Sequence, residues 1–345
     1  MSPVDLASPS VAYWLSSFEP EMEAIAGEVA LLRRHFPDSV SWGVSPSMKL
    51  QWSKRGGYAF HPRLHYFFRG LTWLRQGRFS INHLFGGLGD WFHLRALRDG
   101  PSILTLAVHA EPTDLELLSK LDRFVVEWPR AREQLLTLGI PCEHIRLIPP
   151  PVDLVRFKPE AAPARRFTVL FASAPERADW LTARGIDLIL QAAQLRPNMF
   201  FRLLWRPWGD SLPVVRHRIG ALRLPNVEVV VERVADMAAQ YAAADVTVFP
   251  GVDASRCKPM PNSIVESLAS GRPVVVSERM EIQDYLVGTG AGEVVGVKAE
   301  DLAAALDRLQ ANWKHASGAA RALAEESFDQ DRFIAGYQAL YHELS

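Results

Sequence analysis

From Val11 onward the chain alternates short apolar runs with segments of helical period: VAYWLS precedes MEAIAGEVALLRRHF, and SVSWGVS precedes HPRLHYFFRGLTWLRQG. A run apolar at nearly every position suits a strand buried on both faces, whereas apolar residues at i, i+3 and i+4 suit a helix lying over it. The rhythm continues through SINHLFG, DWFHLRALRD, SILTLAVH, LELLSKL, RFVVEW, REQLLTLG and IRLIPP. Such alternation predicts a parallel sheet with helices on both faces. PPPVDLVRFKPEAAPARR interrupts it. Proline removes backbone donors and restrains the residue before it, so this segment reads as an interdomain linker. The rhythm then resumes with FTVLFAS, GIDLILQAAQL, FFRLLW, VVRHRIGAL, VEVVVE, MAAQYAAAD, VTVFPG, SIVESLASG, PVVVSE and IQDYL.

The expected fold is α/β, two Rossmann-like domains facing across a cleft, over residues 1–155 and 156–345. The 345 residues, 48% of them hydrophobic, supply two cores of ordinary size. The Ala-rich, amphipathic stretch after Ala299 is expected to form terminal helices that pack back across the domains. Lys+Arg 38 against Asp+Glu 39 leaves a formal charge of -1, so no chain-wide basic field invites nucleic acid, and any bound anion must be met by local cations. Cys142 and Cys257 stand far apart without metal-ligand spacing, which fits a reducing cytoplasm better than a disulfide framework. MSPVDLASPS lacks the basic and apolar regions of a signal peptide, and no apolar run reaches membrane-spanning length, so the expectation is a soluble or peripheral protein.

Open parallel sheets bind ligands at the carboxyl ends of their strands, where helix N-termini offer free N–H groups to anions. The richest such loop follows VTVFPG and reads DASRCKPMPNSIVESLASGRPVVVSE. Arg256 and Lys258 precede a helix expected to begin at Asn262 or Ser263, with Glu266 one turn inside it. Ser263-Ile-Val-Glu266 also spells a capping box, in which Glu266 would satisfy a backbone N–H and nothing more.

PNSIVESLASGRPVVVSE resembles the signature segment of family 4 of the glycosyltransferases (glycosyl transferases group 1). WPRAREQLLTLGIPCEHIRLIPPPVDLVRFKP, RGIDLILQAAQL and VEVVVERVADMAAQYAAADVTVFP resemble further blocks of that family, in the family's order. The resemblance implies the GT-B architecture and gives Glu266 the role of accepting hydrogen bonds from the ribose hydroxyls of a nucleotide-sugar donor. It likewise implies donor contacts for Asn262, Ser263, Arg206 and the turn near Glu232 to Asp236, Val234 included, which reads the base through its backbone.

Departures from the family pattern fall on the phosphate grip. The family's two glutamates lie eight positions apart, and eight positions before Glu266 stands Lys258. The family arginine after the first donor-domain strand aligns with Ala174, and its lysine is replaced by Arg184 after the longer loop APERADWLTARG. Arg184 keeps the charge and adds a planar fork suited to phosphate. Lys258 and Arg177 are candidates for the second cation, against the reading that each is an ordinary solvated charge.

In the first domain His109, in TLAVHAEP, ends a buried strand at the position from which a family histidine faces the reacting sugar. His83, in INHLFGGLGD, is placed at another strand end, where it could line an acceptor cleft. The family's Gly-Gly loop after the first strand is replaced by SSFEPEMEA, whose Glu19 and Glu21 would repel a diphosphate. Either that loop serves the acceptor, or Gly56-Gly57 with Lys54 and Arg55 supplies the close approach. HPRLHYFFRGLTWLRQGRF, with Arg63, Arg69, Arg75 and Arg78, fits an interfacial helix touching anionic lipid. A core helix with a charged outer face fits the same letters.

The activity implied is transfer of a sugar from a nucleotide-diphosphate sugar to an acceptor hydroxyl, on a glycan, a lipid-linked molecule or a small molecule, with retention of configuration. No cofactor and no metal ligand are expected, and His109, Arg184, Lys258 and Glu266 are the residues expected to act in the reaction. A catalytically silent nucleotide-sugar-binding protein and a nucleotide-sugar epimerase are the competing readings.

Overall fold

The computed structural model describes residues 9–15, 24–44, 51–53, 57–60, 64–88, 94–98, 100–109, 115–161 and 166–345. Glu19, Glu21, Lys54, Arg55, Gly56, Arg63 and part of DWFHLRALRD lie outside the described residues. In the first half of the chain the strands are β1 (Val11–Leu15), β2 (Ser39–Val44), β3 (Gln51–Ser53), β4 (Gly57–Phe60), β5 (Ile81–Gly86), β6 (Ser102–Leu106), β7 (Arg123–Val126) and β8 (Ile145–Leu147). Helices α1 (Ala24–His35), α2 (His65–Arg75), α3 (Leu115–Leu118) and α4 (Pro129–Thr137) accompany them. The second half runs β9 (Thr168–Phe171), α5 (Ile186–Leu195), β10 (Phe200–Trp205), α6 (Ser211–Leu222), β11 (Val227–Val231) and α7 (Met237–Ala242). It continues through β12 (Val246–Phe249), α8 (Asn262–Ala269), β13 (Val274–Ser277), α9 (Gln283–Leu286) and β14 (Gly292–Val295) to α10 (Ala299–Ala311), α11 (Trp313–Ser327) and α12 (Gln330–Leu344).

The chain divides into two compact units. The first holds the described residues up to Pro150 together with Asp331–Ser345, and the second is Pro151–Gln330. The division falls at Pro150–Pro151 and not after residue 155, because the chain just past it is already bonded into the second unit. Val152 N–H donates to Phe328 O at 2.7 Å, and Gln330 N–H donates to Val152 O at 3.3 Å. The last helix also departs from the expected partition, since α12 belongs to the first unit. Its Phe333, Ile334, Tyr337, Leu340 and Tyr341 recur at helical spacing and are buried in one cluster with Val11, Tyr13 and Leu15 of β1.

In the first unit the sheet order is β3-β4-β2-β1-β5-β6-β7-β8. All neighbours are parallel except β3, which pairs antiparallel with β4 at the edge. The expected purely parallel sheet is corrected there: only Lys54, Arg55 and Gly56 stand between the two strands in sequence, too few for the crossover a parallel pair needs, so the strands pair antiparallel. Gly57 opens β4. His83 is corrected too. It lies within β5, opposite Tyr13 on one side and Ile103 on the other, and it is wholly buried. Its Nδ1 meets the Tyr341 hydroxyl at 2.6 Å and its Nε2 the Thr105 hydroxyl at 2.7 Å, so it lines no acceptor cleft.

The second unit is wholly parallel, in the order β11-β10-β9-β12-β13-β14. β9 and β12 are adjacent but far apart in sequence, and the strand order reverses between them. This is the switch point, the place at which open parallel sheets take their ligands. Ser267 of α8 bonds Thr247 of β12 at 2.8 Å and the Arg272 carbonyl at 3.1 Å, fixing the helix over the strand that feeds it. β14 was not expected as a separate strand, being short and partly glycine.

Candidate functional site

At the switch point the loop leaving β9 meets the first turn of α8: the hydroxyls of Ser173 and Ser263 are 2.9 Å apart. α8 begins at Asn262 after Pro261, which has extended backbone and no side-chain cap. The capping-box reading therefore fails. Ser263 lies inside the helix, and Glu266 Oε2 accepts from the hydroxyl of Tyr241, 2.8 Å away on α7. Tyr241 is fully buried, while Glu266 retains some exposure. Burial pushes the Glu266 carboxyl up to about 7, against the Tyr241 hydrogen bond and the charges of Arg156 and Arg206. A carboxyl that reaches solvent one turn inside this helix has oxygens able to accept hydrogen bonds from hydroxyl groups.

Tyr241 joins this group without having been singled out from sequence, and Arg156 comes from the linker block VDLVRFKP, whose Arg156-Phe157 matches the family's usual ending. The Arg156 guanidinium lies 5.0 Å from the Phe157 ring centroid, and Phe157 meets Tyr241 edge-on at 6.0 Å. The 153–157 turn is held by Asp153 Oδ1, which accepts from the N–H groups of Val155 and Arg156, and by Arg321. The Arg321 guanidinium donates to the Phe157 carbonyl at 2.8 Å and to the Ala269 carbonyl of α8 at 2.7 Å. The linker turn and the signature helix thus share one clamp. Only the Arg-Phe ending of the linker hinted at this in the sequence; a tyrosine at helical spacing in MAAQYAAAD carries no such signal.

Arg184 approaches from the other side. The preceding carbonyl, Ala183 O, accepts from the N–H groups of Val252 at 2.8 Å and Asp253 at 3.2 Å, seating the loop on the segment after β12. Gly185 follows with φ 76°, and a Cβ there would lie 2.0 Å from Pro250 O, so only glycine permits this approach. Arg184 is half-buried over the Phe249 ring, and its Nε is buried with no hydrogen-bond partner among the described residues. Burial lowers its pKa, with Cys257 acting in the opposite direction. Burial in turn pushes the Cys257 thiol up to about 11. Lys258, the next residue, reaches Asn262 Oδ1 at 3.3 Å. Arg184, Lys258 and the amino end of α8 are therefore gathered on the β12 side of the switch point.

Arg177 is not gathered with them. Its guanidinium forms a two-pronged pair with Asp179, both bonds at 2.9 Å, and both side chains are exposed. Arg206 follows β10, exposed, with its guanidinium 4.9 Å from the Trp208 ring centroid. Val234 sits in the turn between β11 and α7, where Asp236 caps α7 by accepting from Ala239 N–H. His109 belongs to the first unit, three residues past β6, with its ring edge-on to Trp128 at 5.5 Å.

Among the described residues no group of three or more His, Cys, Asp or Glu could hold a metal ion, and no helix is long and apolar enough to cross a membrane. The triplet Asp329-Gln330-Asp331, which the expectation of no metal ligand passed over, lies at the start of α12, where Asp329 bridges to Val152.

Solved structures of the GT-B class share this fold over nearly the whole chain. HepE of Anabaena in complex with UDP superposes with a TM-score of 0.77 at 15% identity, covering 97% of this chain and all (100%) of HepE. A glycosyltransferase from Rickettsia africae gives 0.76 at 13% identity, covering 97% and 98% of the two chains. Sucrose-phosphate synthase from Thermosynechococcus elongatus gives 0.75 at 17%, covering 97% and 99%. At such identities the likeness establishes the fold, which is GT-B. Residues 167–312, from the approach to β9 through the end of α10, match the family model of glycosyl transferases group 1, so the second unit carries a group 1 glycosyltransferase domain. No curated protein sequence matches the chain.

Proposed function

We propose that the protein is a retaining glycosyltransferase that moves a hexosyl group from a nucleoside-diphosphate sugar to an acceptor hydroxyl, without a divalent metal. The observation that carries this reading is the setting of Glu266: one turn inside the helix at the switch point, anchored by Tyr241, and available to ribose hydroxyls. Arg184, Lys258 and the free N–H groups of α8 then meet the diphosphate, whose negative charge grows as the bond to the sugar breaks. Preorganised donors aimed at that charge are the main catalytic resource such a site offers. Because Arg184 makes no ion pair among the described residues, reaching the phosphate costs it no internal partner. The Anabaena protein, solved with UDP and with UDP-glucose, supports a uridine-diphosphate sugar as the first donor to test.

The test is a calorimetric panel of nucleoside diphosphates, followed by mass-spectrometric transfer assays using the sugar of the best binder. Transfer to an acceptor, undiminished by EDTA and abolished or reduced by about a hundredfold in Glu266→Ala, is the expected result. Binding without transfer or hydrolysis would identify a silent sugar-nucleotide-binding protein, and isomerised sugar formed without acceptor would identify an epimerase; both refute the transferase reading.

A further inference from the structure

Helix α2 is built the wrong way round for a helix whose only task is to cover a sheet. Its buried face carries Phe68 but also Thr72, and Gln76 is buried just beyond its end. Thr72 donates back to the Phe68 carbonyl, while Gln76 donates to the Ala96 carbonyl at 2.7 Å and accepts from Arg98 N–H at 2.7 Å. The outward face is the apolar one. Tyr66 (75% exposed), Phe67 (61%), Gly70, Trp73 (48%) and Leu74 (67%) fall at i, i+1, i+4, i+7 and i+8, a single stripe along the helix. Leu64, just before the helix, is 44% exposed.

The sequence that carries this stripe is charged with one sign. Between Asp38 and Asp90 the sequence contains seven Lys and Arg residues and no Asp or Glu. Arg69, Arg75 and Arg78 are among the seven, and no carboxylate of the described residues pairs with them. Arg98 adds a further cation, its guanidinium 3.8 Å from the Trp73 ring centroid. The rest of the chain is correspondingly acidic, because the whole sums to -1. A stripe of aromatic and aliphatic side chains on an anchored helix, bordered by Arg69, Arg75 and Arg98, matches the boundary of a bilayer that carries anionic headgroups. The rings and Leu74 enter the acyl margin while the guanidiniums stay among the phosphates.

We infer that α2, with Leu64 and Arg98, is a docking surface for an anionic lipid bilayer. The inference does not depend on the donor reading, and the two fail separately. The full-length protein is sedimented with vesicles of phosphatidylcholine alone or with roughly a third phosphatidylglycerol, at low and high salt. Binding to the anionic vesicles at least about tenfold stronger than to neutral ones, and weakened by salt, is expected. The pair Trp73→Ser and Leu74→Ser should lower it by about tenfold or more, with the melting transition and nucleoside-diphosphate binding unchanged. If that pair fails to fold, Arg69→Gln with Arg75→Gln, both at positions that keep solvent contact, should lower anionic binding by about tenfold. Equal binding to both vesicle types, no binding, or unaltered binding by the folded variants would overturn the inference. So would light scattering that shows a dimer in the absence of lipid, dissociated by Trp73→Ser and Leu74→Ser, because the stripe would then belong to a second copy of the chain.

Discussion

The hydroxyl of Tyr241 donates to Glu266 Oε2 across 2.8 Å, joining α7 to the helix that begins at the switch point. That bond takes one lone pair of the carboxyl and fixes its orientation. With the carboxyl pushed up to about 7 by burial, the ligand-free protein carries it in both protonation states near neutrality.

Donor binding should therefore be linked to a proton. Ribose hydroxyls donate to the ionised carboxylate, so binding favours loss of the proton that burial retains. Affinity for a nucleoside diphosphate is expected to rise about tenfold from roughly pH 6 to pH 8, with release of up to one proton near pH 7. The stability of the ligand-free protein follows the opposite course. The folded value exceeds the ordinary 4.5, so this group's contribution is fully present below about 4.5 and is lost as pH rises through 7. Calorimetry in two buffers of different ionisation enthalpy measures the proton, and pH-independent affinity without proton release would exclude the role given to Glu266.

Tyr241→Phe should shift that profile as well as weaken binding. Loss of the hydroxyl removes the hydrogen bond that opposes the rise in the carboxyl's pKa, so the midpoint should move to higher pH. At neutral pH affinity should fall by about three- to tenfold and recover in part under more alkaline conditions. A variant that merely disturbed packing against Phe157 would lower affinity without moving the midpoint.

Much of this was legible in the sequence because it depends on local pattern. The strands and helices of the second unit fall on the runs that the alternation marks out, and Asn262 begins the helix that the signature places there. What the sequence withheld depends on distant partners. Ser263-Ile-Val-Glu266 spells a capping box, yet Pro261 takes the cap position and Tyr241 competes for the glutamate. The amphipathic period of α12 was plain, but which sheet its tyrosines join is decided by long-range packing around Tyr13 and His83. Arg177 and Arg184 look alike as loop cations. Only the fold shows that Asp179 holds the first and that Gly185, against Pro250, seats the second.

His83 gives the first unit a pH-dependent element of its own. Neutral imidazole offers one donor and one acceptor, and the surrounding hydroxyls fit that count. With Nδ1–H donating to Tyr341 and Tyr341 in turn to Tyr13, Nε2 accepts from Thr105, which accepts from Tyr337. Burial lowers the pKa of His83 well below 6.5. The unfolded chain then binds more protons in the interval below 6.5, so this contribution is full above 6.5 and lost as pH falls beneath it. Urea unfolding followed by near-ultraviolet dichroism should show a steeper acid loss of stability in the native chain than in His83→Gln. Parallel losses in the two proteins would remove His83 from the account.

Arg184 and Arg177 provide the sharpest contrast under the proposed donor reading. Arg184→Gln deletes a desolvated cation that has no carboxylate partner among the described residues, so the melting transition should hardly change. Affinity for a nucleoside diphosphate should nevertheless fall by about ten- to a hundredfold, the range for a charge-assisted hydrogen bond to phosphate. Arg184→Lys should recover part of that loss, because it restores the charge without the planar fork. Arg177→Gln should change affinity by less than about threefold, since its guanidinium is engaged by Asp179 in solvent and would have to leave that pair to reach a ligand. Measured side by side by calorimetry, equal losses in Arg177→Gln and Arg184→Gln would mean that the Asp179 pair opens on binding and that the phosphate grip uses both loop arginines. A loss confined to Arg177→Gln would move the diphosphate away from the β12 side of the switch point altogether.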